Sequence, residues 1–294
     1  MVAEDLPPSV SAEIPREHLL GIALRAGSRT AHAVILARAA GIPCIVAARE
    51  LEVDGSLDGV QAVVDGAAGT LTLAPSSADL AAADAVKKQG AVDATRRAAL
   101  RGKPCVMANG TRVHLYANIG SADGAARAVE VGAEGVGLLR SEFLLLDRET
   151  PPDEREQLRA FTKVLETLGS GRPLTLRLAD IGGDKEIPYL KLPHEANPFL
   201  GLRGYRLAMI KDRPDLRALF ASQVAAALRA AAATGGALRI MAPMISVRAE
   251  VDDLLGLIKA VRADLSARGE SDAAAHPAEI GIMIEVPAAA LTIA

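Results

Sequence analysis

Tryptophan is absent from this 294-residue chain, and aromatic residues make up only 2% of it. A surface that stacks nucleic-acid bases uses such rings, so this composition weighs against base stacking. Neither sign of charge dominates: 33 Lys and Arg face 36 Asp and Glu, for a net charge of −3. No global basic field is present to draw in nucleic acid or an anionic membrane. No uninterrupted apolar run reaches the roughly 18 residues of a membrane-spanning helix. The opening Met1-Val2-Ala3-Glu4-Asp5 carries acid where a secretory leader carries base. Cysteine occurs only at Cys44 and Cys105, neither of them in a Cys-x-x-Cys pair, which argues against structural zinc or a redox couple. These absences fit a protein of the reducing cytoplasm.

What is present is ordinary for a globular α/β protein: 50% apolar and 23% charged residues. Arg far outnumbers Lys, which suits carboxylate and phosphate recognition and equally fits codon bias. Residues 1–75 read as a small α/β domain. Residues 19–24 and 44–47 have strand character, and residues 61–66 and 69–75 read as two strands around a Gly turn. Residues 76–111 form a linker. It is mostly a solvated helix of Ala, Lys, Arg and Gln, weakened or broken at Gly90. From residue 112 to 294 strands and helices alternate, with strands expected over 113–118, 135–140, 174–178, 238–244 and 280–285. Alternation of this kind implies parallel strands joined by helical crossovers. The class is α/β, and the second domain has five of the eight strands that a (β/α)8 barrel needs.

Two sets of residues could carry chemistry. The first is Gly27-Ser28-Arg29-Thr30-Ala31-His32, which reads as a strand, a tight polar turn and the start of an Ala-rich helix stopped by Gly41 and Pro43. An imidazole at the first turn of a helix could carry a phosphoryl group, because free N–H groups and the dipole gather there. A surface or capping histidine satisfies the same spacing. The second set lies past the carboxyl ends of the strands, where barrels place their chemistry. There stand Arg140, Glu142, Arg177, Asp180, Lys185 and Glu285, suited to a small, multiply charged anion bound with a hard divalent ion. Taken singly, each has a plainer reading. Arg140 and Glu142 make a rim ion pair, Arg177 caps a strand, Gly182-Gly183-Asp184 is only a turn, and Glu285 pairs with a neighbouring Arg.

The chain resembles the enzymes that use phosphoenolpyruvate. The stretch around His32 is similar to their phosphohistidine signature, with Ser28 in place of the second Gly and Ala31 in place of a Ser. Ala117-Asn118-Ile119-Gly120, Gly137-Leu138-Leu139-Arg140-Ser141-Glu142-Phe143, Asp180-Ile181-Gly182-Gly183-Asp184-Lys185, Asn197-Pro198-Phe199-Leu200-Gly201-Leu202-Arg203, Met241-Ala242-Pro243-Met244 and Ile284-Glu285-Val286-Pro287 look like the phosphoenolpyruvate-binding barrel of enzyme I of the bacterial sugar phosphotransferase system. The resemblance implies a small swivelling phosphohistidine domain followed by an incomplete (β/α)8 barrel. It implies His32 as the phosphorylated residue, Arg140 and Arg177 on the substrate phosphate, Lys185 and Arg203 in support, and Glu285 as one Mg²⁺ ligand. It also implies transfer onward to the phosphocarrier protein HPr and, in the full-length family, a homodimer.

Against that family pattern the helical subdomain that binds the carrier and the last three barrel strands are missing. The sequence therefore reads as a fragment of enzyme I, or as a piece of a fused multiphosphoryl transfer protein. A non-catalytic phospho-acceptor or interaction module is the alternative, as is a relative of pyruvate phosphate dikinase or phosphoenolpyruvate synthase. The isolated polypeptide is expected to show poor solubility or swapping, from the uncovered strand edge and helix faces of an open barrel, and no useful turnover.

Overall fold

The structure is a computed structural model that describes residues 1–6, 19–28, 34, 37, 41–146, 148–183, 187–192, 195–197 and 200–292. The chain divides into two compact units, residues 1–99 and 100–294.

In the first unit β1 (Val2–Ala3), β2 (Ile22–Leu24) and β3 (Cys44–Ile45) form a parallel sheet in that order. In β1, Val2 and Ala3 stand in register with Ala23 and Leu24 of β2. Leu6, Ile22, Leu24 and Ala37 make the small core. Of the expected helix after His32, Val34 and Ala37 are described, and both are helical and buried. The hairpin expected around the Gly turn is antiparallel β4 (Ala62–Asp65) and β5 (Thr70–Leu73). The Asp65 carboxylate accepts from the amides of Ala67 and Ala68, which closes its loop.

Helix α1 (Ser77–Leu100) buries no residue, as expected of a solvated helix. It runs through Gly90 without the expected break. One exposed Gly costs a helix about 1 kcal/mol, too little to stop 24 residues of good helix formers.

The second unit is built on five parallel strands: β8 (Ala117–Ile119), β9 (Val136–Arg140), β10 (Leu174–Arg177), β11 (Leu238–Ala242) and β12 (Ala278–Ile282). They lie side by side in sequence order. The strand expected over 113–118 is in fact two pieces. Arg112–Val113 (β7) turns back on Cys105–Val106 (β6) as a separate hairpin, and only β8 joins the sheet. The strand expected over 280–285 begins and ends earlier, so Glu285 lies beyond it.

Between strands run α2 (Ala122–Glu130), α3 (Glu154–Leu168), α4 (Pro214–Thr234) and α5 (Arg248–Ala267). Their ends follow local chemistry. Ser121 Oγ caps α2, and Asp153 with Glu156 makes a reciprocal box at the start of α3. Pro214 opens α4 and left-handed Gly235 closes it. The short helices α6 (Ser271–Ala275) and α7 (Pro287–Leu291) were not anticipated.

One face of the sheet is apolar and packs on these helices: Val136, Leu139, Leu174, Leu176, Leu238, Ile240 and Ala242 share a core with Phe161, Val164, Phe220 and Val224. The other face carries Asn118, Arg140, Thr175, Arg239 and Glu279, none of them buried.

Strand β9 departs from simple alternation. Val136 and Leu139 are both buried on the helix side, three positions apart, where a regular strand would pair positions two apart. The register accounts for this: Val136 opposes Leu174 and Leu139 opposes Leu176, so Gly137 and Leu138 together face Thr175. This is a β-bulge. A one-residue shift exchanges the faces of every residue after it. Without the bulge Arg140 would point into the helix layer; with it, Arg140 reaches the open face. Gly137 also permits a close approach, because a Cβ there would lie 2.9 Å from Tyr116 Cβ.

Candidate functional site

The carboxyl ends of the strands bring Arg140, Arg177 and Glu285, of the predicted residues, to one rim. Arg140 and Arg177 are register partners at the ends of β9 and β10, and Arg177 is also opposite Met241 on β11. Paired strands run about 4.8 Å apart, so the two arginines start from neighbouring backbone at one height.

Their surroundings differ sharply. Arg140 is exposed and makes no side-chain hydrogen bond or ion pair among the described residues. Arg177 is only 7% exposed. Its Nη2 donates to Glu142 Oε1 at 2.8 Å, and its Nη1 lies 3.6 Å from Asp180 Oδ2 and 4.0 Å from the Met283 sulfur. The rim ion pair between Arg140 and Glu142 is not formed; Glu142 serves Arg177 instead. Arg203 is likewise buried, and grips Asp180 through Nε at 3.0 Å and Nη2 at 3.2 Å. Glu142 and Asp180 are 4% and 3% exposed. Two cations and two anions thus close a buried network behind Arg140. Buried charges survive only when paired and hydrogen-bonded, and these are.

The backbone around the network is fixed to match. Glu142 lies in the 3-10 turn Ser141–Leu144 directly after β9. The same Glu142 oxygen that holds Arg177 also accepts from the Asp180 amide at 2.8 Å. Gln223 of α4 makes a second buried bridge: it accepts from the Ala179 amide and donates to Ser141 Oγ. Gly182 and Gly183 both have left-handed backbone, with φ of 93° and 68°. A Cβ on Gly182 would sit 2.6 Å from the Leu202 carbonyl oxygen, so only Gly lets this loop pass against residues 202–203. The Gly204 amide then donates to the Ile181 carbonyl at 2.9 Å. The Gly-Gly pair is therefore more than a turn: it sets Arg203 against Asp180.

On the far side of the rim, Glu285 is exposed, and its Oε1 accepts from the Met244 amide at 2.9 Å. Among the described residues Glu285 has no Arg partner, so the plainer reading of it as half of an ion pair is not met. Met244 is left-handed, with φ of 60°, a strained state for a residue with a side chain. The Arg206 guanidinium donates to the carbonyls of Gly201 and Met244, tying loops 200–206 and 241–246 together. A carboxylate of this kind suits one ligand position of a Mg²⁺ ion, which commonly takes one or two protein carboxylates and completes its shell with water and phosphate oxygens. Among the described residues no group of three or more His, Cys, Asp or Glu could hold a metal. Glu285 alone could supply one ligand and does not make a metal site by itself. His32 and Lys185 lie outside the described residues.

At the opposite end of the strands, Glu134 accepts from His114 Nδ1 at 2.8 Å and Arg112 Nη2 at 2.9 Å. The His114 contact, followed in weight by Arg112, holds its carboxyl below the usual range. Below the rim, Tyr205 donates to Asp253 at 2.7 Å. Burial, reinforced by that carboxylate, pushes its phenol well up.

Sequence reasoning named Arg140, Arg177, Arg203 and Glu285 but missed what holds them. Gln223 and Arg206 gave no signal, being ordinary polar residues in helical sequence. The bulge did leave one, a Gly inside a strand.

Comparison with known proteins gives the context. Residues 94–294 match the PEP-utilising enzyme, PEP-binding domain, and residues 1–69 match the PEP-utilising enzyme, mobile domain. A phosphoenolpyruvate-protein phosphotransferase of Haloferax volcanii is 43% identical over 291 residues, covering 99% of this chain and 48% of that protein. A multiphosphoryl transfer protein of Rhodobacter capsulatus is 40% identical over 291 residues, covering 99% of this chain and 33% of that protein. A phosphoenolpyruvate-protein phosphotransferase of Staphylococcus carnosus is 38% identical over 292 residues, covering 99% of this chain and 49% of that protein. The chain therefore spans half or less of the length of these curated relatives. With its family-matched segments covering most of its length, the chain belongs to the PEP-utilising enzymes.

Proposed function

We propose that this chain is part of a phosphoenolpyruvate-protein phosphotransferase. In this reading the strand-end rim binds phosphoenolpyruvate, with Arg140 and Arg177 on its phosphate and Lys185 and Arg203 in support. The His32 Nε2 attacks phosphorus as the bond from phosphorus to the enol oxygen breaks. The departing enolate takes a proton at carbon to become pyruvate. The phosphoryl group then passes from His32 to a phosphocarrier protein of the HPr kind, the first step of sugar uptake by the phosphotransferase system. Residues 1–75 take the part of the mobile phosphohistidine domain, residues 76–111 of the linker, and residues 112–294 of the first part of a (β/α)8 barrel. A dimer in the full-length protein belongs to the same reading.

The observation that carries it is the register pairing of Arg140 with Arg177, one exposed and uncompensated, the other buried and oriented. Arg forks bind phosphate and carboxylate bidentately. In phosphoryl transfer the protein supplies positioning and charge stabilisation far more than covalent chemistry. Mg²⁺ belongs to the proposed activity: Glu285 would supply one ligand, and the ion would help neutralise the charge of the phosphoryl group.

The Rhodobacter relative, a multiphosphoryl transfer protein, supports as an alternative a place within a fused protein of that kind.

The test is mass spectrometry after incubation with phosphoenolpyruvate and Mg²⁺. A longer gene product containing this sequence is expected to gain one acid-labile phosphoryl group on the His32 peptide, lost in His32→Ala. The 294-residue chain alone is expected to label far more slowly. Labelling of another residue, or none in the longer product, contradicts the reading.

A further inference from the structure

We propose that Glu142 is a positioning residue: it aims the Arg177 guanidinium at the substrate anion by tying that side chain and the following loop to one oxygen. The proposal rests on the functional reading above.

Glu142 follows Arg140 by two residues but turns away from it. Its Oε1 accepts from Arg177 Nη2 and from the Asp180 amide, both at 2.8 Å. A single oxygen thereby links the last residue of β10 to the loop that carries Gly182 and Gly183. A side chain that only compensated charge would not need the second bond. The Arg177 guanidinium has five N–H donors, and Glu142 occupies the Nη2 edge. Among the described residues, the Nη1 group meets a sulfur at 4.0 Å and a carboxylate oxygen at 3.6 Å, neither of them a strong hydrogen bond. Buried Nε has no hydrogen-bond partner, in a side chain that is 8% exposed. A buried donor left unmet is costly, and its plain use is to receive an oxygen from a ligand. Among the described residues, Arg177 is therefore firmly held at Nη2, only weakly engaged at Nη1 and unmet at Nε. Asp180 cannot supply the missing acceptor, since its carboxylate is engaged by Arg203.

Two readouts on the 294-residue chain test this: calorimetric binding of phosphoenolpyruvate, and the Arg177 Nε–H resonance in the ligand-free protein, identified by its loss in Arg177→Lys. Glu142→Gln keeps the shape and removes the charge. A charge-assisted bond becomes a neutral one, and binding is expected to weaken about tenfold. The losses from Glu142→Gln and Arg177→Lys should be far from additive, whereas those from Glu142→Gln and Arg140→Met should add. The Nε–H signal should broaden or vanish in Glu142→Gln. Should that variant unfold, Glu142→Asp carries the same test, since it keeps the charge and falls one methylene short. Additive losses with Arg177→Lys, or an unchanged Nε–H signal, overturn the proposal. If the wild-type chain binds no phosphoenolpyruvate, the functional reading fails for this chain, and the Nε–H signal alone decides whether Glu142 positions Arg177.

Discussion

The two halves of the strand-end rim solve the problem of holding charge in opposite ways. Across β9 and β10, Glu142, Arg177, Asp180 and Arg203 are buried and joined in one network. Across β11 and β12, Glu285 stands in solvent on a single bond from the amide of strained Met244. The difference shows what each half is built for. Burial fixes a guanidinium in place at the cost of desolvation, which demands a full set of counter-charges. Exposure leaves a carboxylate free to take a cation, at the cost of precise orientation. Under the proposed function, the ordered half would hold the substrate anion and the adaptable half the cation.

The strongest way to break this contrast is to remove one charge from each half. Asp180→Ala removes the buried carboxylate that holds Arg203 at two of its nitrogens and should cost about 3–5 kcal/mol in urea unfolding. Glu285→Ala should stay within about 0.5 kcal/mol of wild type, as exposed substitutions usually do. Equal losses would erase the distinction. Next in size is Arg140→Met. Because Arg140 is exposed and has no partner among the described residues, its loss should leave unfolding unchanged while weakening phosphoenolpyruvate binding by about 10- to 100-fold, the worth of a charged hydrogen bond. Gly182→Ala tests whether the loop geometry belongs to the buried half. The left-handed backbone alone costs about 1–3 kcal/mol, and the Leu202 carbonyl stands in the way besides.

The smallest effect lies at the other end of the sheet. The Glu134 carboxyl is lowered from 4.5, first by His114 and then by Arg112. A lowered folded value means that the unfolded chain binds more protons in that window, so stability rises with pH there. The contribution is complete above about pH 4.5 and is lost as pH falls through the lowered folded value. Glu134→Gln should flatten this part of an acid titration of stability slightly, leaving neutral pH little changed, since the pair is solvent-screened.

How much of this could be read in the sequence follows from what each feature depends on. The five parallel strands and the solvated helix α1 were legible, because apolar runs, turn residues and composition are local signals. The survival of α1 through Gly90 was not: propensity is a weak force, summed over a whole helix. The split of the stretch at residues 112–118 into a hairpin strand and a sheet strand depends on the partner Cys105–Val106, which no local pattern announces. At the site, Arg140, Arg177 and Glu285 could be found because strand ends are where barrel chemistry gathers. The exchange of partners, with Glu142 serving Arg177 instead of Arg140, could not. It depends on the bulge at Gly137 and Leu138 reversing the side on which Arg140 emerges, and on a loop folding back from residues 202–203. These are contacts between residues 20 to 40 positions apart, beyond the reach of spacing.

The most direct measurement is a phosphoenolpyruvate titration of the isotopically labelled chain followed by amide chemical shifts. The account predicts perturbations grouped at the strand ends, in residues 140–143, 177–183 and 200–206, and none at Glu134 or His114. A response centred on the opposite end of the strands, or none anywhere at millimolar ligand, would contradict it.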